Sequence, residues 1–293
     1  MNTGVRGAPS GLFVGLSTLD VVQLVDGMPG PNQKVTAAES WLAAGGPAAA
    51  AAIAFSALGG SATLVTALGA NSAAALVRAD LVAAGVTVID RAPDGFGLAP
   101  AVVIVDAATG ERTVVGGSVH PPQTLPVDES VLDGCDVVLI DGHHPALARV
   151  VVPAAAARRV PVVVDAGSHK PVFDELWAHT SDVICSADYS HPSGRSPETL
   201  LEHGPSLVAV SHGSDPLQWW RSDESGEVPV PRVDVADTLG AGDVLHGAYA
   251  YALAMGSPRA DALAFGVAAA SRRVARLGPF SWRDDLKRWR RVP

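Results

Sequence analysis

Cysteine is nearly absent: the 293 residues contain two, Cys135 and Cys185. So widely separated a pair gives no disulfide framework and no metal-ligand spacing, and each lies at or beside an apolar run, so both read as buried thiols. Aromatic residues make up only 5% of the chain. The core therefore has to be assembled from aliphatic and small side chains, and abundant alanine favours close helix packing. Positive charge is short as well, with 21 Lys and Arg against 30 Asp and Glu and a net charge of −9. That balance excludes a general nucleic-acid binder. Long apolar runs are missing. The alanine-rich stretch 47–57 is too short and too weakly apolar to span a bilayer, and Met1 to Gly11 has no apolar signal core. The expectation is a soluble, cytoplasmic protein that engages neither membrane nor nucleic acid. No internal repeat or low-complexity tract occurs, and no Gly-x-Gly-x-x-Gly follows the first strand-like run. A dinucleotide-dependent oxidoreductase is thus left without support.

What is present is a chain with 48% hydrophobic residues, long enough for one large α/β domain or two smaller ones. Apolar strand-like runs at 12–16, 62–67, 86–89, 137–140, 162–164, 183–185 and 207–210 alternate with helical patterns. The helices are expected at 47–58 (closed by Gly59-Gly60), 72–84 (capped by Asn71 or Ser72), 145–158, after Asp243, and at 260–276. This is the order of a mainly parallel α/β sheet. Two segments break the rhythm. Val21–Val25, a Pro-Gly-Pro-Asn turn at 29–32 and Val35–Ser40 read as one hairpin. Ala101–Asp106, a Thr109-Gly110 turn and Arg112–Val115 read as another. Together they predict either edge hairpins or a small sheet standing off the main one as a lid that excludes water. Charge is uneven: residues 271–293 carry eight Lys and Arg, read as a solvated last helix or as a patch facing phosphates.

One stretch carries most of the chemistry. Asp237-Thr238-Leu239-Gly240-Ala241-Gly242-Asp243 runs straight into the small-residue segment 244–250. A Gly-Ala-Gly turn can aim several backbone N–H groups at one point, and a helix starting there adds its positive dipole end, which suits an anion such as phosphate. An aspartate in an anion site is out of place unless it serves as a base toward an attacking hydroxyl; the plain alternative is a helix N-cap. Upstream, Asp20 lies just past the first strand, where ligands bind in open α/β sheets. There it can accept from two sugar hydroxyls, or be an exposed loop acid. Gly45-Gly46 opens the first helix, with Pro47 in its first turn.

The string Asp-Thr-x-Gly-Ala-Gly-Asp closely resembles the C-terminal signature of the PfkB/ribokinase family of carbohydrate kinases. The order of a first-strand Gly-x4-Asp, a hairpin, a Gly-Gly helix start and a second hairpin before that motif is similar to the family over most of the chain. The resemblance implies a single domain over residues 1–293. Its fold is a ribokinase-like three-layer α/β/α arrangement with a mainly parallel central sheet and a small β-sheet lid from hairpins at about 20–41 and 99–117. It implies an ATP-dependent kinase acting on a hydroxyl of a small sugar or sugar derivative, with Asp243 as base and the amides of Gly240, Ala241 and Gly242 as anion hole. Asp20, Gly45 and Gly46 would bind the sugar. Lys34 and Arg112, on the hairpins, meet an anionic group or remain solvated lid charges, and His143, with His144 after the strand ending at Asp141, falls on the ligand side. Ser211 and Gly213 resemble the family's Thr-x-Gly segment near the ATP phosphates, and Thr238 supports the loop on the nucleotide side. Mg²⁺ is implied, a monovalent cation on the backbone beside Asp237 and Thr238 is a further possibility, and a homodimer through the lid is expected.

The sequence departs from the pattern at several positions. Ser186-Ala187-Asp188-Tyr189 stands where an Asn-x-x-Glu-like segment organises Mg²⁺ through water, which leaves Asp188 as the carboxylate available. Ala50 replaces an asparagine, Asn71 an aspartate, and Leu239 a frequent hydroxyl residue. Lys34, Gly110-Glu111-Arg112-Thr113 and Asp243-Val-Leu-His-Gly resemble the branch with ketohexokinase and sulfofructose kinase. His143 and Gly116, however, stand where the sulfosugar branch has Arg and Asn, so the sugar stays open. Two alternatives are a nucleoside kinase of the same fold, for which Trp41 and Phe96 are the aromatic candidates, and a sugar- or nucleotide-binding protein with weakened catalysis.

Overall fold

The computed structural model describes residues 7–117 and 125–290. Residues 1–6 of the N-terminal stretch and Arg291 of the basic cluster lie outside the described residues. In chain order the first elements are β1 (Ser10–Val14), β2 (Thr18–Val25), β3 (Glu39–Gly45), α1 (Pro47–Ala57), β4 (Ser61–Thr66), α2 (Ser72–Ala83) and β5 (Val86–Asp90). Then come β6 (Pro100–Asp106), β7 (Arg112–Val115), β8 (Val137–Ile140), α3 (Pro145–Ala157), β9 (Val162–Ala166), α4 (Pro171–Leu176) and β10 (Asp182–Ser186). The last third holds β11 (Leu207–His212), β12 (Asp215–Trp220), β13 (Ser225–Val228), α5 (Ala241–Ala254), α6 (Arg259–Val274) and α7 (Ser281–Trp289). Local chemistry sets the boundaries. Proline stands in the first turn of α1, α3 and α4, where its missing N–H has no intrahelical acceptor anyway. Asn71 caps α2 by accepting from Ala74 N–H at 2.9 Å.

Nine strands form the main sheet in the order β13-β12-β11-β10-β9-β8-β1-β4-β5. All pairings from β11 across to β5 are parallel, and β12 and β13 add an antiparallel edge. Residues alternate cleanly between its faces. Phe13, Leu64, Leu139, Val163 and Ile184 join α1, α2, α5, α6 and α7 in one core, while Leu12, Val65, Val138, Val164 and Val183 join α3 and α4 in the other. The chain therefore folds into three layers, helices–sheet–helices. Alanine does allow close helix packing: a Cβ on Gly247 of α5 would strike the backbone carbonyl of Ala51 in α1. No helix among the described residues is long and apolar enough to cross a membrane.

The sheet order reverses between β1 and β8, because the chain moves from β1 outward to β4 and β5 and later returns to the other side of β1. A crevice opens at such a switch point, beyond the carboxyl ends of the strands. Asp141, just past β8, closes its floor by accepting from the N–H groups of Leu16 (2.8 Å), Ala48 (3.1 Å) and His143 (2.9 Å).

The expected hairpins form a separate four-stranded sheet, β3-β2-β6-β7, in which β2 and β6 run parallel and join the two hairpins. One boundary differs from expectation: the second strand of the first hairpin is Glu39–Gly45, not Val35–Ser40. Residues 26–38 are a mostly exposed connection around a turn closed by Gln33 N–H to Gly30 O at 3.2 Å. Pairing with β2 instead recruits the segment up to Gly45, including Ala43, Ala44 and Gly45 despite their low strand propensity.

Candidate active site

The glycine-rich turn is built from behind. Buried Asp237 accepts from Leu239 N–H at 2.8 Å with one oxygen, and from Gly278 N–H (3.2 Å) and Arg273 Nη2 (2.8 Å) with the other. Thr238 donates both its hydroxyl (2.9 Å) and its N–H (3.1 Å) to the carbonyl of Gly110, so the turn of the second hairpin is pinned to this loop. Gly240 has φ 71°, a left-handed conformation that suits glycine, and caps α5. The helix thus starts at Ala241, earlier than the apolar run 244–250 implied, and Asp243 sits in its first turn. Ala241 N–H makes a long 3.3 Å bond to Thr238 O. Gly242 lies among the first-turn residues whose N–H groups have no acceptor inside the helix.

Two cavities meet at this turn. The smaller is lined by Asp20, Gly45, Gly46 and Ala50 on one side and by Leu239, Gly240 and Asp243 on the other, with Trp282 and Arg283 closing it. The larger, of about 790 Å³, is lined by Thr238, Ala241 and Gly242, by Ser186 and Asp188 after β10, by Ser211 and Gly213 after β11, and by Arg112. The structure therefore brings Asp20, Gly45, Gly46 and Asp243 together, and separately gathers Ser211, Gly213, Thr238, Arg112 and Asp188. Ser186 and Ser211 are register partners at the ends of adjacent strands, which explains why distant segments share one groove.

The electrostatics single out Asp243. Burial, followed by the negative charge of Asp165, pushes its carboxyl up to about 7; His246 and Arg112 oppose the rise and Asp20 adds to it. Asp165, the penultimate residue of β9, is buried and has one oxygen without a hydrogen-bond partner, 3.5 Å from His246 Nδ1. Burial raises its pKa too. The His246 ring spans the carbonyls of Gly242 (2.7 Å) and Ile184 (3.1 Å) and so holds the start of α5 against the sheet. Asp20, on β2, accepts from the Thr18 hydroxyl at 2.7 Å, and burial raises its pKa as well. Its carboxylate fills the space where a Cβ on Gly45 would stand.

Arg112 lies on the face of the small sheet that carries Val22, Leu24, Val103 and Val105, and Leu239 packs against that cluster. The residue that replaces a family hydroxyl is thus an apolar seat for the small sheet. Two expected residues are not brought in. Lys34 is exposed on the 26–38 connection, and His143 is half-buried with its N–H on Asp141; neither lines either cavity.

The basic C-terminal stretch divides: Lys287, Arg288 and Arg290 are exposed along the last helix, as expected of a solvated face, the others pair with acids, and none of its described members lines the larger cavity. Arg273 is buried against Asp237, Arg283 pairs with Asp80 at 2.5 Å, and Arg272 and Arg276 share Asp285. Sequence spacing also hid His169, Asp174 and His191, whose ligand-type atoms lie within 4.8 Å of one another. Asp174 there faces both rings, at 3.5 and 3.2 Å.

Fit to metal ions differs between the two sides of the turn. Mg²⁺ takes one or two carboxylates, often through water, plus phosphate oxygens. Asp188, exposed in the larger cavity, offers one such carboxylate. A monovalent cation beside Asp237 does not fit, because the Asp237 carboxylate and carbonyl already accept from Arg273.

A family model described as pfkB family carbohydrate kinase matches residues 10–282. An ATP-dependent ribose-1-phosphate kinase from Halopiger xanaduensis is 28% identical over 247 residues, 79% of this chain and 80% of that protein. The structure of ribokinase from Thermotoga maritima superimposes with a TM-score of 0.75 at 22% identity, covering 97% of this chain and 99% of its own. Ribokinase from Arabidopsis thaliana, solved with ribose and ATP, gives a TM-score of 0.75 at 20% identity over 98% of this chain and 100% of its own. At these identities the structural likeness concerns the fold.

Proposed function

This chain belongs to the pfkB family of carbohydrate kinases, and on that premise we propose how its residues transfer the terminal phosphoryl group of ATP to a hydroxyl of a small sugar or sugar derivative. The fold is ribokinase-like. The observation that carries the mechanism is the position of the Gly240–Gly242 turn between the two cavities, with Asp243 on the Asp20 side and Gly242 on the side of Ser211 and Gly213. Asp20 accepts hydrogen bonds from the sugar, whose ring lies against Gly45 and Gly46. Asp243 takes the proton from the attacking hydroxyl. The amides of the turn and the positive end of α5 hold the developing phosphoryl charge, while Ser211, Gly213 and Thr238 border the nucleotide. Arg112 brings positive charge over the larger cavity from the second hairpin. Mg²⁺, when bound, would neutralise charge on the nucleotide phosphates, and Asp188 is the carboxylate that would hold its water shell. ATP turnover with a panel of ribose, ribose 1-phosphate, fructose, a 6-sulfo sugar and nucleosides tests this reading. Product formation with a sugar supports it, a nucleoside product selects the nucleoside-kinase alternative, and ATP binding without any product overturns it.

The metal side has its own test. Replacing Asp188 by alanine is expected to raise the Mg²⁺ concentration for half-maximal activity by about 10–100-fold, as for other groups that orient a metal's shell. Full activity should return at high Mg²⁺; an unchanged Mg²⁺ titration removes Asp188 from the mechanism.

The whole chain acts as one domain, with the small sheet as lid and ATP as a cytoplasmic co-substrate. The outer face of that lid carries a row of register partners, Leu42, Val21, Val102 and Val115. Leu42 is 51% and Val115 62% exposed. An apolar row of this kind marks an interaction surface, and it supports a homodimer formed lid to lid. Sedimentation of Leu42→Lys is expected to give a monomer where the parent gives a dimer; a parent monomer at assay concentration overturns the dimer.

A further inference from the structure

The most enclosed ion pair among the described residues stands directly behind the glycine turn. The Arg273 and Asp237 side chains are 2% and 1% exposed. Arg273 Nη2 donates to Asp237 Oδ2 at 2.8 Å. Its Nη1 donates to the carbonyl of Arg276 at 2.7 Å and reaches that of Asp237 at 3.4 Å. Gly278 N–H adds a bond to the same Asp237 oxygen at 3.2 Å. One carboxylate and two backbone carbonyls, from the segment entering the turn and from the end of α6, thus converge on one unit of positive charge. This is the kind of oxygen set that a monovalent cation on this backbone would use.

We propose that Arg273 is a built-in monovalent cation, its guanidinium replacing a dissociable K⁺ or Na⁺ behind the Gly240–Gly242 turn. Burial lowers the Arg273 pKa and the Asp237 carboxylate opposes that fall; the guanidinium presents its donors in a rigid fork. It can satisfy a carboxylate and two carbonyls at once without a dehydration step for each binding event. A second cation beside it would meet direct repulsion in a buried setting. The turn is thereby locked in its phosphate-facing shape whatever the salt. An ordinary structural ion pair makes no such statement: it predicts loss of stability on mutation, but no response to the identity of the small cation.

The test compares wild type with Arg273→Ala and Arg273→Lys in tetramethylammonium, sodium and potassium chloride at equal ionic strength. Melting of wild type should be the same in all three within about 1 °C. The alanine variant should melt several degrees lower in tetramethylammonium. It should recover part of that loss in K⁺ or Na⁺, or in millimolar guanidinium ion, with urea as the inert control. The lysine variant, which keeps the charge, should fall between wild type and alanine and stay indifferent to the cation. Selective stabilisation of wild type by K⁺ or Na⁺ overturns the proposal. So does a folded alanine variant that ignores K⁺, Na⁺ and guanidinium alike. If the alanine variant does not fold, Arg273→Met, which removes the charge but fills the volume, takes its place in the same salts with the same expectation. ATP binding by calorimetry in the same salts is a separate arm, expected to change by less than about twofold for wild type. Absence of ATP binding in every salt counts against the kinase reading of the turn and leaves the melting comparison standing.

Discussion

Asp243→Asn is expected to lower kcat by about 10²–10⁴-fold, the usual contribution of a positioned general base. The substitution keeps the shape of the side chain and its place in the first turn of α5, so the cavity lining is preserved. ATP affinity should hold or improve, because a negative charge leaves the neighbourhood of an anion site. The wild-type pH profile gives a second readout. With its carboxyl pushed up to about 7, Asp243 is protonated and idle in acid, so kcat should rise with pH through about 7 and then level. The Asn variant should lack that limb. Stability moves the other way. The folded pKa lies above the unfolded value near 3.8, so the folded state binds the extra proton, and the stability this gives is complete below that value and lost as pH rises toward 7. The Asn variant carries no buried charge. It should therefore melt above wild type at pH 8 and converge with it near pH 4. A variant that is inactive but no more stable at pH 8 would mean that the carboxylate is better solvated than its position implies, and the acid limb should then lie well below 7.

That combination of lost activity and gained stability is the mark of a group placed for chemistry, and it was the residue most legible in the sequence. A glycine turn before a small-residue helix has few other uses for an aspartate. Legibility fell wherever the argument needed a partner from another segment. Arg273 sat in a basic stretch and passed for a solvated charge. Yet Ala262, Gly266, Ala269 and Arg273 follow the i, i+4, i+7, i+11 spacing of a buried stripe. An arginine in phase with such a stripe requires a buried anion, and Asp237 of the motif was the available one. His246 and Asp165 were hidden differently, since their meeting depends on α5 crossing the ends of β9 and β10. Lys34 and His143 erred in the opposite direction. Each was placed on the right segment, but a residue on an exposed connection, or with its backbone committed to Asp141, need not point into the cavity. The fold itself was read more fully, because a parallel strand buried on both faces is a short continuous apolar run, as at residues 137–140 and 162–164. The β3 boundary failed because Ala43, Ala44 and Gly45 are chosen for space and not for strand propensity.

That choice of space carries the second large effect. Gly45 has no left-handed backbone to justify a glycine, yet a Cβ there would occupy the position of the Asp20 carboxylate. Gly45→Ala should therefore displace Asp20 and act like its removal. Two hydrogen bonds from sugar hydroxyls to a carboxylate are worth about 1.5–3 kcal/mol each, so Asp20→Ala is expected to reduce kcat/KM for the sugar by roughly 10²–10⁴-fold with ATP affinity unchanged. Gly45→Ala should approach the same loss while leaving every charge in place. In the Asp20→Ala background the space is empty, the methyl group fits, and Gly45→Ala should cost almost nothing further. This strong non-additivity is expected of two residues that compete for one volume. Steady-state kinetics on the two single variants and the double variant measure it directly. Equal costs for Gly45→Ala in both backgrounds would mean that the glycine serves the sugar through its own backbone, and that Asp20 keeps its place without it.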